Sequence, residues 1–161
     1  MLELTPEVRD AMFAHAVACL PEEACGMVST HEDDSLVDRF HPITNAAASP
    51  TAFELDPQEM LDLERHAEAA KRNLVGVMHA HPVSSPYPSP TDLASVGRFD
   101  PFGTMHHVIV SLRHAEPVLR SYRIRDGEVI EELVVVTDDE PIVHDQAGAM
   151  AAVTRLPRRQ S

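Results

Sequence analysis

Basic residues are scarce in this sequence: 13 Lys and Arg stand against 26 Asp and Glu, a formal net charge of −13 over 161 residues. Binding to phosphates needs a basic footprint, so the balance argues against a nucleic-acid partner, and an anionic membrane surface would repel the chain. Cysteine occurs only as Cys19 and Cys25. That excludes a disulfide scaffold and a CxxC metal site, and suits a reducing, cytoplasmic setting. Both thiols are read as packing groups, Cys25 beside Gly26 in an apolar strand and Cys19 on the apolar face of a helix. No apolar run approaches the length needed to span a membrane. Met1-Leu2-Glu3-Leu4-Thr5-Pro6 has no basic segment followed by an apolar core, so no signal peptide is expected. The length fits one domain with a substantial core, and no internal repeat is visible.

What the chain does hold is an ordered set of polar residues. Leu74-Val75-Gly76-Val77-Met78 reads as a short buried strand and runs into His79-Ala80-His81. Side chains two apart on a strand point the same way, so both imidazoles can serve one cation. A Pro-rich loop then leads to Ser89-Pro90-Thr91-Asp92. This reads as a helix start, with Ser89 as N-cap, Pro90 as first residue and Asp92 in the first turn. Such a turn brings a carboxylate back beside the histidines. Two histidines, one carboxylate and a position for water form a usual catalytic zinc set, because zinc takes four ligands and needs one of them exchangeable. Taken singly, each residue has a plainer role: Asp92 as a favourable charge at a helix N-terminus, Ser89 as a cap, the histidines as chance neighbours. The ordered combination is what points to a metal.

Around this stretch the pattern predicts a helix from Thr5-Pro6 to Pro21, with Val8, Ala11, Met12, Ala16 and Cys19 inward. A strand over 24–29, a polar turn and a second strand over 36–43 follow. After a loop come a short strand over 51–55 and a helix to about Arg72, opened by Asp56-Pro57-Gln58-Glu59 as a capping box. Its inward positions are Met60, Leu61, Leu63, Ala67 and Ala70, and His66 is read as a surface residue. The helix begun at Ser89 runs to Val96, and a turn-rich segment spans 97–103. Strands over 108–112, 118–124 and 129–136 form a meander, with Asp126-Gly127 as a hairpin turn. His106 and His107 open the first of these strands, where surface or core placement competes with facing the site.

His79, His81, Pro82, Ser89 and Asp92 follow the spacing H-x-H-P-x6-S-x2-D, and in this the sequence resembles the JAMM (MPN+) metallopeptidases. That family also carries a glutamate a few residues before a glycine on an early strand. Glu23 matches by its distance from Gly26; without the family pattern, Glu22 is an equal alternative. Ala80 departs from the Ser or Thr common between the histidines, which leaves the ligands in place and removes a neighbouring hydroxyl. The resemblance covers roughly residues 5 to 137. It implies an α/β, three-layer α-β-α fold with a mixed central sheet, resembling that of cytidine deaminases. A deaminase would need H-x-E combined with P-C-x-x-C, and that combination is absent. Residues 1–137 would form the JAMM/MPN+ domain and 138–161 a C-terminal tail, either flexible or docked as a short helix over 142–154.

The resemblance further implies one Zn2+ on His79, His81 and Asp92, with Glu23 as general base and the Ser89 hydroxyl as a donor to the developing oxyanion. The reaction implied is hydrolysis of an amide or isopeptide bond after the tail of a ubiquitin-like protein. Thr44-Asn45-Ala46, Ser49-Pro50-Thr51, Tyr87-Pro88-Ser89 and Arg120 to Gly127 resemble the short actinobacterial branch of Mec-type CysO-cysteine peptidases. There the partner is a small ubiquitin-like sulfur carrier ending in Gly-Gly, and cysteine is released. A broader isopeptidase or a small-peptide peptidase would share every catalytic residue, whereas a non-catalytic MPN scaffold would lack the ligands. A Gly-Gly tail without side chains can lie along a narrow groove as an added strand. An acidic carrier would require a local basic patch from Arg98, Arg120, Arg123 or Arg125. Pairing of the chain as a homodimer is left open.

Overall fold

The computed structural model describes residues 1–137 and the backbone of two short strands beyond them, Ile142–His144 and Met150–Ala152. After β1 (Leu2–Leu4), the Thr5 hydroxyl accepts a bond from the Val8 amide at 3.3 Å and caps α1 (Pro6–Ala18). Pro6 costs nothing at this first position, where no intrahelical partner exists for an N–H. Val8, Met12 and Ala16 bury one stripe of α1, while Ala11 faces solvent and Cys19 closes the helix as its C-cap.

β2 (Cys25–His31) opens the central sheet. The single strand expected over 36–43 divides: β3 (Leu36–Val37) pairs in parallel with β1, and β4 (Arg39–Ile43) pairs antiparallel with β2. A Cβ on Gly26 would collide with the His41 carbonyl and the Phe40 ring, so glycine permits the close approach of β2 and β4. No strand forms over 51–55; a lone bridge joins Asn45 to Leu55, and side-chain bonds from Asn45 replace a ladder there. Asp56 caps α2 (Pro57–Ala69) through the Glu59 amide at 2.9 Å. The Glu59 carboxylate does not complete the expected capping box but accepts from the Thr44 amide at 2.9 Å, and Leu61 and Ala70 face outward.

β5 (Arg72–His81) carries both histidines inside the strand, and α3 (Pro90–Phe99) continues through Gly97. β6 (His106–Ser111), β7 (Val118–Arg125) and β8 (Glu128–Glu132) complete the meander. Asp126 and Gly127 have φ of 52° and 79°, the left-handed pair that a tight hairpin demands. The run expected as one strand over 129–136 breaks at Leu133, beyond which β9 (Val134–Val136) leaves the central sheet and pairs in parallel with β1. The central sheet has the order β4-β2-β5-β6-β7-β8, and only β5–β6 is parallel, because α3 lies in the crossover between them.

Alternation along the strands gives the sheet two buried faces. Met78, Ala80, Val108 and Val110 pack with Val8, Met12 and Ala16 of α1, whereas Ile109, Tyr122 and Ile124 pack with Val96 of α3. Helix, sheet and helix thus form three layers around a mixed sheet. Beyond residue 137, β10 (Ile142–His144) pairs antiparallel with β11 (Met150–Ala152), and the rest of the tail, for which a flexible segment or a short helix was expected, lies outside the described residues.

Candidate metal centre and active site

The centre is built where β5 ends against the first turn of α3. His79 and His81 are 4% and 2% exposed, on the sheet face that α3 covers. Their Nε2 atoms lie 3.0 Å apart, and Asp92 Oδ2 stands 3.1 Å from the first and 3.2 Å from the second. Three donor atoms thus converge on one point, as a single shared cation requires, and two imidazoles with a carboxylate suit zinc. The residues present fit such an ion.

Each donor is oriented from behind. His81 Nδ1 lies 2.8 Å from the Ser85 carbonyl, which fixes the tautomer that leaves Nε2 free. The Asp92 carboxylate accepts the Ser89 amide at 2.8 Å, and the Asp92 amide donates to Ser89 Oγ at 3.1 Å. The capping box that starts α3 therefore also aims the carboxylate. Burial opposes ionisation of Asp92, but bonds from His79, His81 and the Ser89 amide outweigh it and hold its pKa far below the usual carboxylate range. Burial lowers the pKa of His79 against the pull of Asp92. For His81 burial also lowers it, but Asp92 and the Ser85 carbonyl prevail and raise it.

Glu23 immediately precedes Ala24, whose carbonyl accepts the Ala80 amide at 2.9 Å, between the two histidines. It is 4% exposed, and its Oε2 has no hydrogen-bond partner among the described residues. Burial pushes its pKa up to about 7, a rise that His81 moderates and Asp92 reinforces. A buried carboxylate with an unused oxygen and a pKa near neutrality can accept and return a proton. Glu22 is only half-buried. The Ser89 hydroxyl accepts from Asp92 and keeps its own proton for another acceptor.

Sequence reading missed the supports. Carbonyls of three successive residues in the loop after His81 are taken by Ser111 Oγ to Ser84 at 2.6 Å, by His81 to Ser85, and by the Tyr122 hydroxyl to Pro86. Phe53 stacks on the His79 ring at 4.4 Å and 16°. Of the two histidines opening β6, His107 bonds Asp100 at 2.9 Å and borders, with Phe53, His79, Asp92 and Phe99, a cleft beside the centre. His106 pairs instead with Glu132. His66 is exposed, as expected. Cys25 is buried, its thiol pushed up to about 12 by burial, consistent with packing. The arginines do not form a free basic patch: Arg120, Arg123 and Arg125 face Glu131, Glu132 and Asp126 at 3.6, 3.4 and 3.7 Å, and Arg98 stands exposed on α3.

The family described as prokaryotic homologs of the JAB domain matches residues 5–125. The chain belongs to this family. The CysO-cysteine peptidase of Mycobacterium tuberculosis is 39% identical to this JAB protein over 139 residues, covering 86% of the chain and 92% of the relative. The desampylase of Haloferax volcanii is 38% identical over 96 residues, 56% of the chain and 69% of the relative. A solution structure from Desulfitobacterium hafniense superposes with a TM-score of 0.76 at 30% identity, covering 86% of this chain and 94% of that one. This JAB protein is a hydrolase of the JAMM type, with the family's mixed α/β fold. Among the described residues no helix is long and apolar enough to cross a membrane.

Proposed function

We propose that this JAB protein hydrolyses the amide bond after the C-terminal Gly-Gly of a small ubiquitin-like sulfur carrier and releases cysteine. The observation that carries this reading is the similarity to a CysO-cysteine peptidase over nearly its whole length. In this reading His79, His81 and Asp92 would hold one Zn2+, which would supply the Lewis acidity that makes water a nucleophile near neutral pH. Glu23 Oε2 takes the proton of the attacking water and delivers it to the leaving amine; its burial, unpaired oxygen and raised pKa support that role. Ser89 Oγ, an acceptor toward the Asp92 amide, donates a hydrogen bond through its one O–H to the carbonyl oxygen as negative charge develops there. Two free thiols suit a cytoplasmic setting for the pair of proteins.

A second reading, isopeptide hydrolysis on lysine-linked ubiquitin-like conjugates, is favoured by the similarity to a desampylase. Mass spectrometry on three substrates separates the two: a carrier with cysteine on its Gly-Gly terminus, a short peptide of the same terminal sequence, and a lysine-linked conjugate. Binding energy from the carrier body can position the scissile amide, so the peptide should lose turnover as well as affinity. Fastest release of cysteine from the carrier is expected. Preference for the lysine conjugate would favour the isopeptidase, and equal rates on carrier and peptide would mean a small-peptide peptidase.

A further inference from the structure

The segment between Asn45 and Leu55 has no ladder of its own, yet it touches both halves of the centre. Asn45 is 9% exposed and its amide is fully used. Nδ2 donates to the carbonyl of Glu23 at 3.0 Å and to that of Ala52 at 2.9 Å, while Oδ1 accepts the amides of Ala47 and Glu54, each at 3.0 Å. Two carbonyls on one side and two amides on the other dictate which end of the side chain is nitrogen. The Glu23 amide in turn donates to Ser49 of the same segment at 2.9 Å, so both backbone groups of Glu23 are held by it.

Ala52 precedes Phe53, whose ring lies flat on His79 and meets Phe99 of α3 edge-on at 6.5 Å. His81 is oriented by a hydrogen bond on its second nitrogen, but among the described residues Nδ1 of His79 has none. A histidine that ligates a metal ordinarily has such a bond. Behind that ring the contact in place of such a bond is the Phe53 stack, at 4.4 Å and 16°.

We propose that Asn45 and Phe53 act as one positioning unit: a single side-chain amide fixes the backbone of the general base and, through Phe53, the ring of a metal ligand, and so sets their separation. The inference rests on the metal and base assignments above. It gives Asn45 no contact with substrate and assigns it neither ligand nor proton.

The test uses zinc alone, by competition with a chelator, and the visible spectrum of the Co2+-substituted protein. Neither readout needs a substrate. Phe53→Leu should weaken zinc by about 10-fold or more and alter the cobalt spectrum, as loss of a ligand's supporting contact does, while Phe53→Tyr, which keeps the stack, should match the parent. Asn45→Asp keeps the shape but turns an acceptor toward the Glu23 and Ala52 carbonyls, and it should weaken zinc too. Combined with Phe53→Leu it should add little to the loss of zinc, since both act on the metal through one contact. Losses that multiply in the double variant, or parental affinity and spectrum in Phe53→Leu, would overturn the proposal while leaving the ligand assignment intact. A parent chain that binds no zinc would overturn both. Should Asn45→Asp not fold, the contrast between Leu and Tyr at position 53 decides alone.

Discussion

Ser89 and Asp92 hold each other by two reciprocal bonds, the Ser89 amide to Asp92 Oδ2 at 2.8 Å and the Asp92 amide to Ser89 Oγ at 3.1 Å. The same Oδ2 faces both histidines. One short motif therefore starts a helix, aims a proposed ligand and leaves a hydroxyl proton free beside it. Ser89→Ala should cost about 1 kcal/mol of stability as a lost cap. It should cost more in turnover, on the order of 10²-fold or above, because a donor to the oxyanion is lost. Thermal unfolding and kcat measured on the same preparations check this, and losses of equal free energy in both would reduce Ser89 to a cap.

Glu23 is expected to trade stability for chemistry. Its folded pKa lies above the ordinary value, so its carboxylate destabilises the fold as pH rises through about 4.5 to 7. In metal-free protein at pH 8, Glu23→Gln should therefore be more stable than the parent, by up to about 3 kcal/mol. The same variant should retain zinc and lose about 10² to 10⁴-fold in turnover. Denaturation and elemental analysis test the first two, and a crippled Glu22→Gln beside an active Glu23→Gln would move the base by one residue.

The pH profile follows from the same group. A general base must be ionised to act, so activity should rise with pH along a limb at or below about 7, which a bound cation beside Glu23 would draw downward. Acid should also release the metal, since His79 and His81 bind it only when unprotonated. A rate constant flat from about pH 5 to 9 would contradict both steps.

The parts legible in the sequence are those whose cause is local. Strand alternation put His79 and His81 on one side, and the Ser89-Pro90-Thr91-Asp92 turn fixed where the carboxylate returns. In the sequence only the distance from Gly26 and a family pattern favour Glu23 over Glu22; in three dimensions burial separates them. The roles of Asn45, Phe53, Ser111 and Tyr122 are not legible in the sequence because they depend on partners far along the chain, as in the contact of Phe53 with His79. Leu133 marks a similar limit: a continuous apolar run carries no mark of the point where it leaves one sheet for another.

Metal content should track the donor set. The parent should carry one zinc per chain, and His79→Ala or His81→Ala should lose it, because a three-residue set keeps little affinity with two. Treatment with a chelator should abolish turnover, and added zinc should restore it. Unchanged zinc in both variants would place the ion elsewhere.

A second carboxylate contributes to stability in acid, away from the centre. Glu132 accepts Ser121 Oγ at 2.7 Å, pairs with His106, and faces the N-terminal amine at 3.1 Å and Arg123 at 3.4 Å. Burial would raise its pKa, but the bonds from His106 and Ser121 prevail and bring it to about 2 from an ordinary 4.5. A depressed carboxylate contributes stability that is complete above its unfolded pKa and is lost as pH falls toward the folded one. The window here is roughly pH 4.5 down to 2, and about 3 kcal/mol is the most that the shift can carry. Glu132→Gln should thus be less stable than the parent at pH 7, with the gap closing as pH falls through that window. Denaturant unfolding of both metal-free proteins at pH 7, 5, 4 and 3 measures the gap directly, and subtraction cancels groups common to the two chains. A gap that stays constant down to pH 3 would mean that Glu132 acts through packing alone and that its charge adds nothing to the fold.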